Sequence, residues 1–146
     1  MRIKLITFNK VNANGVIYIA ESKEYIDKLV ITEDGASSSY LVNVPIIDPN
    51  LNYDERFKIA STVDFHSLCG VIREVEIIET GDIGFKDLPV YEVYGEVKPI
   101  ANDNGKLFSD LYNENLVSIG IRSWARHLPE NVQSIGKIIC WDVVPK

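Results

Sequence analysis

The chain has 146 residues, 46% of them hydrophobic, and a formal net charge of −6; this suits one compact domain over residues 1–146 that buries roughly two-thirds of its unfolded surface. The acidic balance works against broad capture of nucleic acid or anionic membrane, and no apolar stretch approaches the roughly 20 residues that span a bilayer. Cys69 and Cys140 are the only cysteines, too few for a disulfide framework, and no signal-peptide pattern is seen, so a reducing, intracellular setting is expected.

Residues 2–8 alternate Ile3, Leu5 and Thr7 against Arg2, Lys4 and Ile6, which predicts an opening strand. Asn12-Ala13-Asn14-Gly15 supplies turn chemistry, and residues 16–20 form a second extended run. Tyr25, Ile26 and Leu29 then fall at helical spacing behind an acidic first turn, predicting a short surface helix over 21–29. The segment Glu33-Asp34-Gly35-Ala36-Ser37-Ser38-Ser39 is small and polar, with little to add to a core, and is expected to be a mobile, cleavable loop. Strand character returns at 40–44, and Pro45, Asp48-Pro49 and Asn50 punctuate a loop before a helix over 53–60.

Residues 71–78 and 90–97 are β-rich and flank a loop with Gly81, Gly84 and Pro89, the pattern of an antiparallel pair. Over 105–113 a helix is expected, with Leu107, Phe108, Leu111 and Tyr112 facing the sheet. Residues 116–121 and 135–144 read as the last two strands. There is no internal repeat. The order of elements argues for an α+β domain: a mainly antiparallel sheet or small barrel with two or three short helices.

Three residues could carry acyl-transfer chemistry: His66, Ser118 and Asp142, each beside a strand-like run. An imidazole takes the proton of a serine hydroxyl, and a carboxylate holds the imidazole in the right tautomer. Strict alternation puts Ile138, Cys140, Asp142 and Val144 on one face of the last strand and Ile139, Trp141 and Val143 on the other. Asp142 on an apolar face needs a partner, unless it reaches solvent at the strand end. Ser118 is a nucleophile if exposed to a base, or else a small filler; Gly120 beside it would let the backbone approach another group closely. Of the two histidines, His66 ends a loop that leads into a strand, whereas His127 reads as an exposed loop residue.

His66, Cys69, His127 and Cys140 offer nitrogen and sulfur ligands that zinc accepts, but their spacing matches no knuckle or finger, so both cysteines read as small buried hydrophobes and no metal is expected. The scattered glycines form neither a phosphate loop nor a dinucleotide fingerprint, and no cofactor is expected.

Several segments taken together resemble the phage prohead proteases, the capsid-maturation serine peptidases related in fold to herpesvirus assemblins. They are Asn12-Ala13-Asn14-Gly15-Val16-Ile17-Tyr18 before a helix, His66 with Cys69-Gly70-Val71-Ile72, Tyr94-Gly95-Glu96-Val97, Val117-Ser118-Ile119-Gly120-Ile121-Arg122 after a helix, and Cys140-Trp141-Asp142-Val143-Val144. The resemblance covers most of the chain and implies an assemblin-like fold. It makes Ser118 the nucleophile, His66 the general base and Asp142 the third member. Backbone N–H groups around Arg122, Ser123, Trp124 and Arg126 become the oxyanion and substrate loop. Where some branches carry Ser-Ser-Arg-Gly after the strand glycine, this chain has Arg122-Ser123-Trp124-Ala125, which makes Ser123 a rival nucleophile.

The activity implied is endopeptidase cleavage of scaffold and capsid proteins in the host cytoplasm, within the immature phage head, with self-association, no nucleic acid and no membrane. Several relatives cut after glutamate, and Ile31-Thr32-Glu33 would suit self-cleavage. The competing readings are a catalytically silent protease-fold protein serving as a capsid, scaffold or virion binding component, and an unrelated β-rich domain that binds a protein partner. Trp124 is either the partner contact or a residue that closes the core.

Overall fold

The computed structural model describes residues 1–30 and 36–146. Among them are β1 (Arg2–Phe8), β2 (Ile17–Tyr18), α1 (Lys23–Leu29), β3 (Tyr40–Asn43), α2 (Tyr53–Ala60), β4 (Leu68–Ile83), β5 (Pro89–Pro99), α3 (Asp103–Asn113), β6 (Val117–Leu128) and β7 (Val132–Pro145), with short 3-10 turns between several of them. The strands build one mostly antiparallel sheet in the order β1-β5-β4-β3-β7-β2, with β6 paired along the other edge of β7. The sheet curls into a nearly closed barrel with three α-helices, the α+β architecture expected from the order of elements. No helix is long and apolar enough to cross a membrane.

Two long hairpins dominate, β4–β5 and β6–β7. Their β-branched and aromatic residues alternate toward one interior, where Phe8, Leu41, Ile72, Val93, Val97, Phe108, Ile135 and Trp141 are almost wholly enclosed. Burying each such side chain is worth about 1.5–3 kcal/mol. A smaller cluster of Val42, Ile139 and Cys140, packed by Val63 and Leu68, lies outside this core.

β7 departs from strict alternation. Arg122 pairs with Cys140 and Ser123 with Ile138, so Ile139 is an extra residue in a bulge. Ile138 therefore joins Trp141 and Val143 in the main core, while Ile139 joins Cys140 in the outer cluster. Alternation counted from sequence had put Ile138 with Asp142.

Each helix begins on a side-chain cap: Ser22 for α1, Asn52 for α2 and Asn102 for α3, each accepting from the N–H three residues on. Gly105 in the first turn of α3 is required by packing, because a Cβ there would stand 1.9 Å from the Ile100 carbonyl oxygen. Of the face expected to pack on the sheet, Phe108 is buried and Leu111 and Tyr112 are packed against the core, but Leu107 points to solvent. α2 matches its expected span yet buries no residue.

The serine-rich segment is a correction in its second half. Residues Ser37–Ser39 form a 3-10 turn, Ser38 and Ser39 are buried, and the Ser38 carbonyl accepts a hydrogen bond from Trp141 Nε1 at 3.0 Å. Small size lets these serines be buried where the indole N–H reaches the backbone, a use that polarity alone does not signal. The Ile31-Thr32-Glu33 cleavage reading lies outside the described residues.

Candidate functional site

The β6–β7 hairpin determines where two of the three candidate catalytic residues sit. Gly120 lies opposite Asp142, and Ser118 opposite Val144. Ser118, Gly120, Asp142 and Val144 thus share a face, and Asp142 also pairs with Val42 of β3, a residue of the outer cluster. Ile119, Ile121 and Trp141 face the core. Ser118 and Asp142 therefore stand on the outside of the barrel wall. The glycine between them is not needed for close approach: a Cβ at Gly120 would meet nothing nearer than a Val144 methyl at 3.4 Å.

Asp142 is buried and its partner is Arg122. Arg122 Nε donates to Oδ2 at 3.0 Å and Nη2 to Oδ1 at 2.5 Å, a bidentate fork on neighbouring strands. Burial, the largest single influence, opposes the charge on the guanidinium, but the hydrogen bonds to Asp142 together with the negative charge of Asp142 and Cys140 outweigh it, and the Arg122 pKa rises. Arg122 Nη1 reaches further, to the carbonyls of Ala60 and Thr62 at the end of α2. One partly buried arginine thus ties α2, β6 and β7 together. Both carboxylate oxygens of Asp142 are occupied by this partner, where the triad assignment asked for an imidazole.

His66 lies in a 3-10 turn, Phe65–Ser67, that leads into β4. Asp64 accepts from its backbone N–H at 3.0 Å, and Asn104 Nδ2 donates to its carbonyl at 3.0 Å, so its backbone is held against the start of α3. The ring is exposed and makes no hydrogen bond among the described residues. The Ser118 hydroxyl is half-buried and likewise has no hydrogen-bond partner among them.

Two rulers give the separation of serine and histidine. Across the sheet, Gly120 pairs with Asp142, Asp142 with Val42, and Val42 with Leu68. Followed along the curved sheet, three strand spacings of about 4.8 Å put about 14 Å of barrel wall between β6 and β4 at this level. Along the barrel end, α3 begins where Asn102 and Asn104 donate to Leu68 and His66 and ends just before β6. Its 11 residues span about 16 Å. Strands β3 and β7 stand between the two groups, and no hydrogen bond joins Ser118, His66 or Asp142 to one another among the described residues.

The segment assigned as an oxyanion loop is strand. Arg122, Ser123, Trp124 and Arg126 all belong to β6, as does His127, whose backbone pairs with Gln133. Outward polar residues concealed the continuation: Arg122, Trp124 and Arg126 face away from the barrel while the chain stays extended. Ser123 pairs with Ile138, a residue of the interior core, and so faces away from Ser118. Cys69 and Cys140 are buried free thiols, as read from sequence; burial pushes Cys69 up to about 11 and Cys140 up to about 12.

Trp124 is not a core residue. It is 43% exposed, its ring stacks on Phe57 of α2 at 6.1 Å, Phe57 stacks on Tyr53 at 6.1 Å, and Nε1 donates to Ser61 Oγ at 3.1 Å. The participation of Tyr53 and Phe57 was missed in the sequence. The available signal was two aromatic residues at i, i+4 in a helix too polar to bury a face. No family model matches the chain, nor does any curated protein or solved structure.

Proposed function

We propose that this chain is a catalytically silent, protein-binding domain on a protease-like barrel, the reading that competes with the peptidase activity implied by the resemblance and that would make it a capsid, scaffold or virion component. The observation that carries this reading is the Arg122–Asp142 pair. It occupies the carboxylate a triad would use, while His66 stands beyond two intervening strands from Ser118. A general base must come within about 3 Å of the hydroxyl it deprotonates, directly or through one water. The test is covalent labelling with a fluorophosphonate probe, followed by long incubation with scaffold and capsid proteins and mass spectrometry. The expected result is neither adduct nor cleavage. An adduct on Ser118 that disappears in both Ser118→Ala and His66→Ala overturns the proposal.

A serine endopeptidase of the assemblin-like class is the second reading, favoured by the common outer face of Ser118 and Asp142 and by the unengaged, exposed ring of His66. In that reading Ser118 Oγ attacks the peptide carbonyl. His66 takes the hydroxyl proton and passes it to the leaving amine, and water hydrolyses the acyl-enzyme. The turn carrying His66 would have to cross about 10 Å of the barrel surface, and Asp142 would have to exchange arginine for imidazole. Its setting would be the immature head, with scaffold and capsid proteins as substrates and self-association as the trigger.

A further inference from the structure

α2 buries no residue, yet it is built with care. Asn52 caps its start, Glu55 accepts from the Asn52 side chain in return, and Arg122 holds its last carbonyls. What the helix does is hold Tyr53 and Phe57 in line with Trp124 of β6. These rings are 70%, 47% and 43% exposed. Such a row of exposed aromatic faces costs solvation and contributes little core packing, the signature of an interaction surface.

The β6–β7 side of the row carries the opposite charge to the chain as a whole, while α2 itself is balanced, Asp54 and Glu55 against Arg56 and Lys58. Between residues 117 and 141 the cations Arg122, Arg126 and Lys137 meet a single acid, Glu130, in a protein of net charge −6. The β4–β5 hairpin, residues 68–99, instead carries seven acids against three cations. Lys137 Nζ sits 4.9 Å from the centre of the Trp124 ring, Arg126 follows two residues along the same strand, and Arg56 adjoins Phe57 on α2. None of Arg56, Arg126 and Lys137 forms an ion pair among the described residues. Of the acids on and beside α2, Asp48 and Asp64 accept from backbone N–H groups and Glu55 from the Asn52 side chain, while Asp54 stands in the first turn beside Tyr53, at the end of the row away from Trp124 and Lys137.

We infer that the Tyr53–Phe57–Trp124 row is a docking site for an acidic peptide segment with apolar side chains, supplied by a protein partner. Its apolar groups lie on the three rings and its carboxylates pair with Lys137, Arg126 and Arg56. Aromatic and arginine anchors dominate interfaces of this kind, and a cationic rim adds association rate and selection against basic partners. The inference names a partner class for the binding reading above, but it does not depend on the state of Ser118.

The experiment uses the whole chain and a short synthetic peptide of alternating leucine and glutamate, with a leucine–lysine peptide as control, followed by Trp fluorescence and calorimetry. The acidic peptide is expected to bind and the basic one not. Trp124→Ser and Lys137→Glu are each expected to weaken binding about tenfold, equivalent to about 1.4 kcal/mol. Thermal melts check that each variant folds, and Arg126→Glu serves if Trp124→Ser does not. Lys137→Glu with Arg126→Glu should shift preference toward the basic peptide. Failure of the acidic peptide to bind overturns the inference. So does preferential binding of oligothymidylate, which would make the row a base-stacking surface, or sedimentation showing that Trp124 buries itself in a second copy. Fluorophosphonate labelling of Ser118 with peptide binding intact would overturn the silent-site reading alone.

Discussion

Replacing Arg122 by methionine tests whether one ion pair organises the outer wall of the barrel. The side chains of Arg122 and Asp142 are only 12% and 9% exposed, so Arg122→Met leaves a carboxylate buried beside Cys140 and Val42 with no partner. Breaking such a pair from one side costs about 3–5 kcal/mol. Asp142→Leu strands the guanidinium in the same way, although its bonds to the Ala60 and Thr62 carbonyls remain and lower the cost toward the bottom of that range. The double variant removes both charges and keeps apolar volume. It should lose about 1–2 kcal/mol, mostly the hydrogen bonds that close the end of α2. With a urea slope of about 2 kcal/mol/M, the midpoint falls by about 1.5–2.5 M in the single variants and by less than about 1 M in the double. Denaturation followed by Trp fluorescence reads all four corners of the cycle. If the double loses as much as the sum of the singles, the two residues are not a unit, and both the clamp and the case against a free Asp142 fail.

Further outcomes follow from the same geometry. Asn9 is fully buried at a left-handed φ of 68°, and its amide joins the carbonyls of Ala20 and Pro89 and the N–H of Ala20; Asn9→Ala should cost about 2–4 kcal/mol, read as a lower thermal midpoint. Gly105→Ala should lose about 2 kcal/mol or more by forcing α3 away from the Ile100 carbonyl, and a neutral effect on the melt would contradict the packing. The thiols of Cys69 and Cys140 should react with a disulfide reagent at pH 8 only as fast as the protein unfolds, because burial raises both. Their folded pKa values lie above the ordinary 9.0, so their contribution to stability is complete below about pH 9 and lost as pH rises toward 11 for Cys69 and 12 for Cys140. Cys140→Val should flatten that decline in denaturation measured across the alkaline range.

Much of the fold was legible in the chain because its signals are local. The strand alternation of β1, the β-rich runs of β4 and β5 and the i, i+4 pattern of α2 and α3 all appear in the residues that form them. The helices were legible too, but only α2 starts where the pattern put it; α1 starts at Lys23 rather than 21 and α3 at Asp103 rather than 105, where the caps Ser22 and Asn102 set them. β6 was read short, because a strand that turns Arg122, Trp124 and Arg126 outward looks like a polar loop when its partner β7 is not in view. The candidate site was legible as residue types and much less as an arrangement. Sequence set out that Asp142 needs a partner, since a carboxylate among apolar neighbours must find one. It did not say which, because an arginine and an imidazole both satisfy that need, and the register of β6 on β7 chose Arg122.

By itself the sequence determined an acidic α+β chain with two buried thiols, a serine on a strand and a histidine at the entrance to another. Tertiary structure decided what stands next to what. Inserting β3 between β4 and β7 separates His66 from the Ser118–Asp142 face, the Ile139 bulge changes which β7 side chains face inward, and α2 comes to rest on Trp124. Each of these depends on pairings between residues far apart in the chain, and hydrogen-bond register and side-chain packing across the barrel, rather than any local pattern, set them.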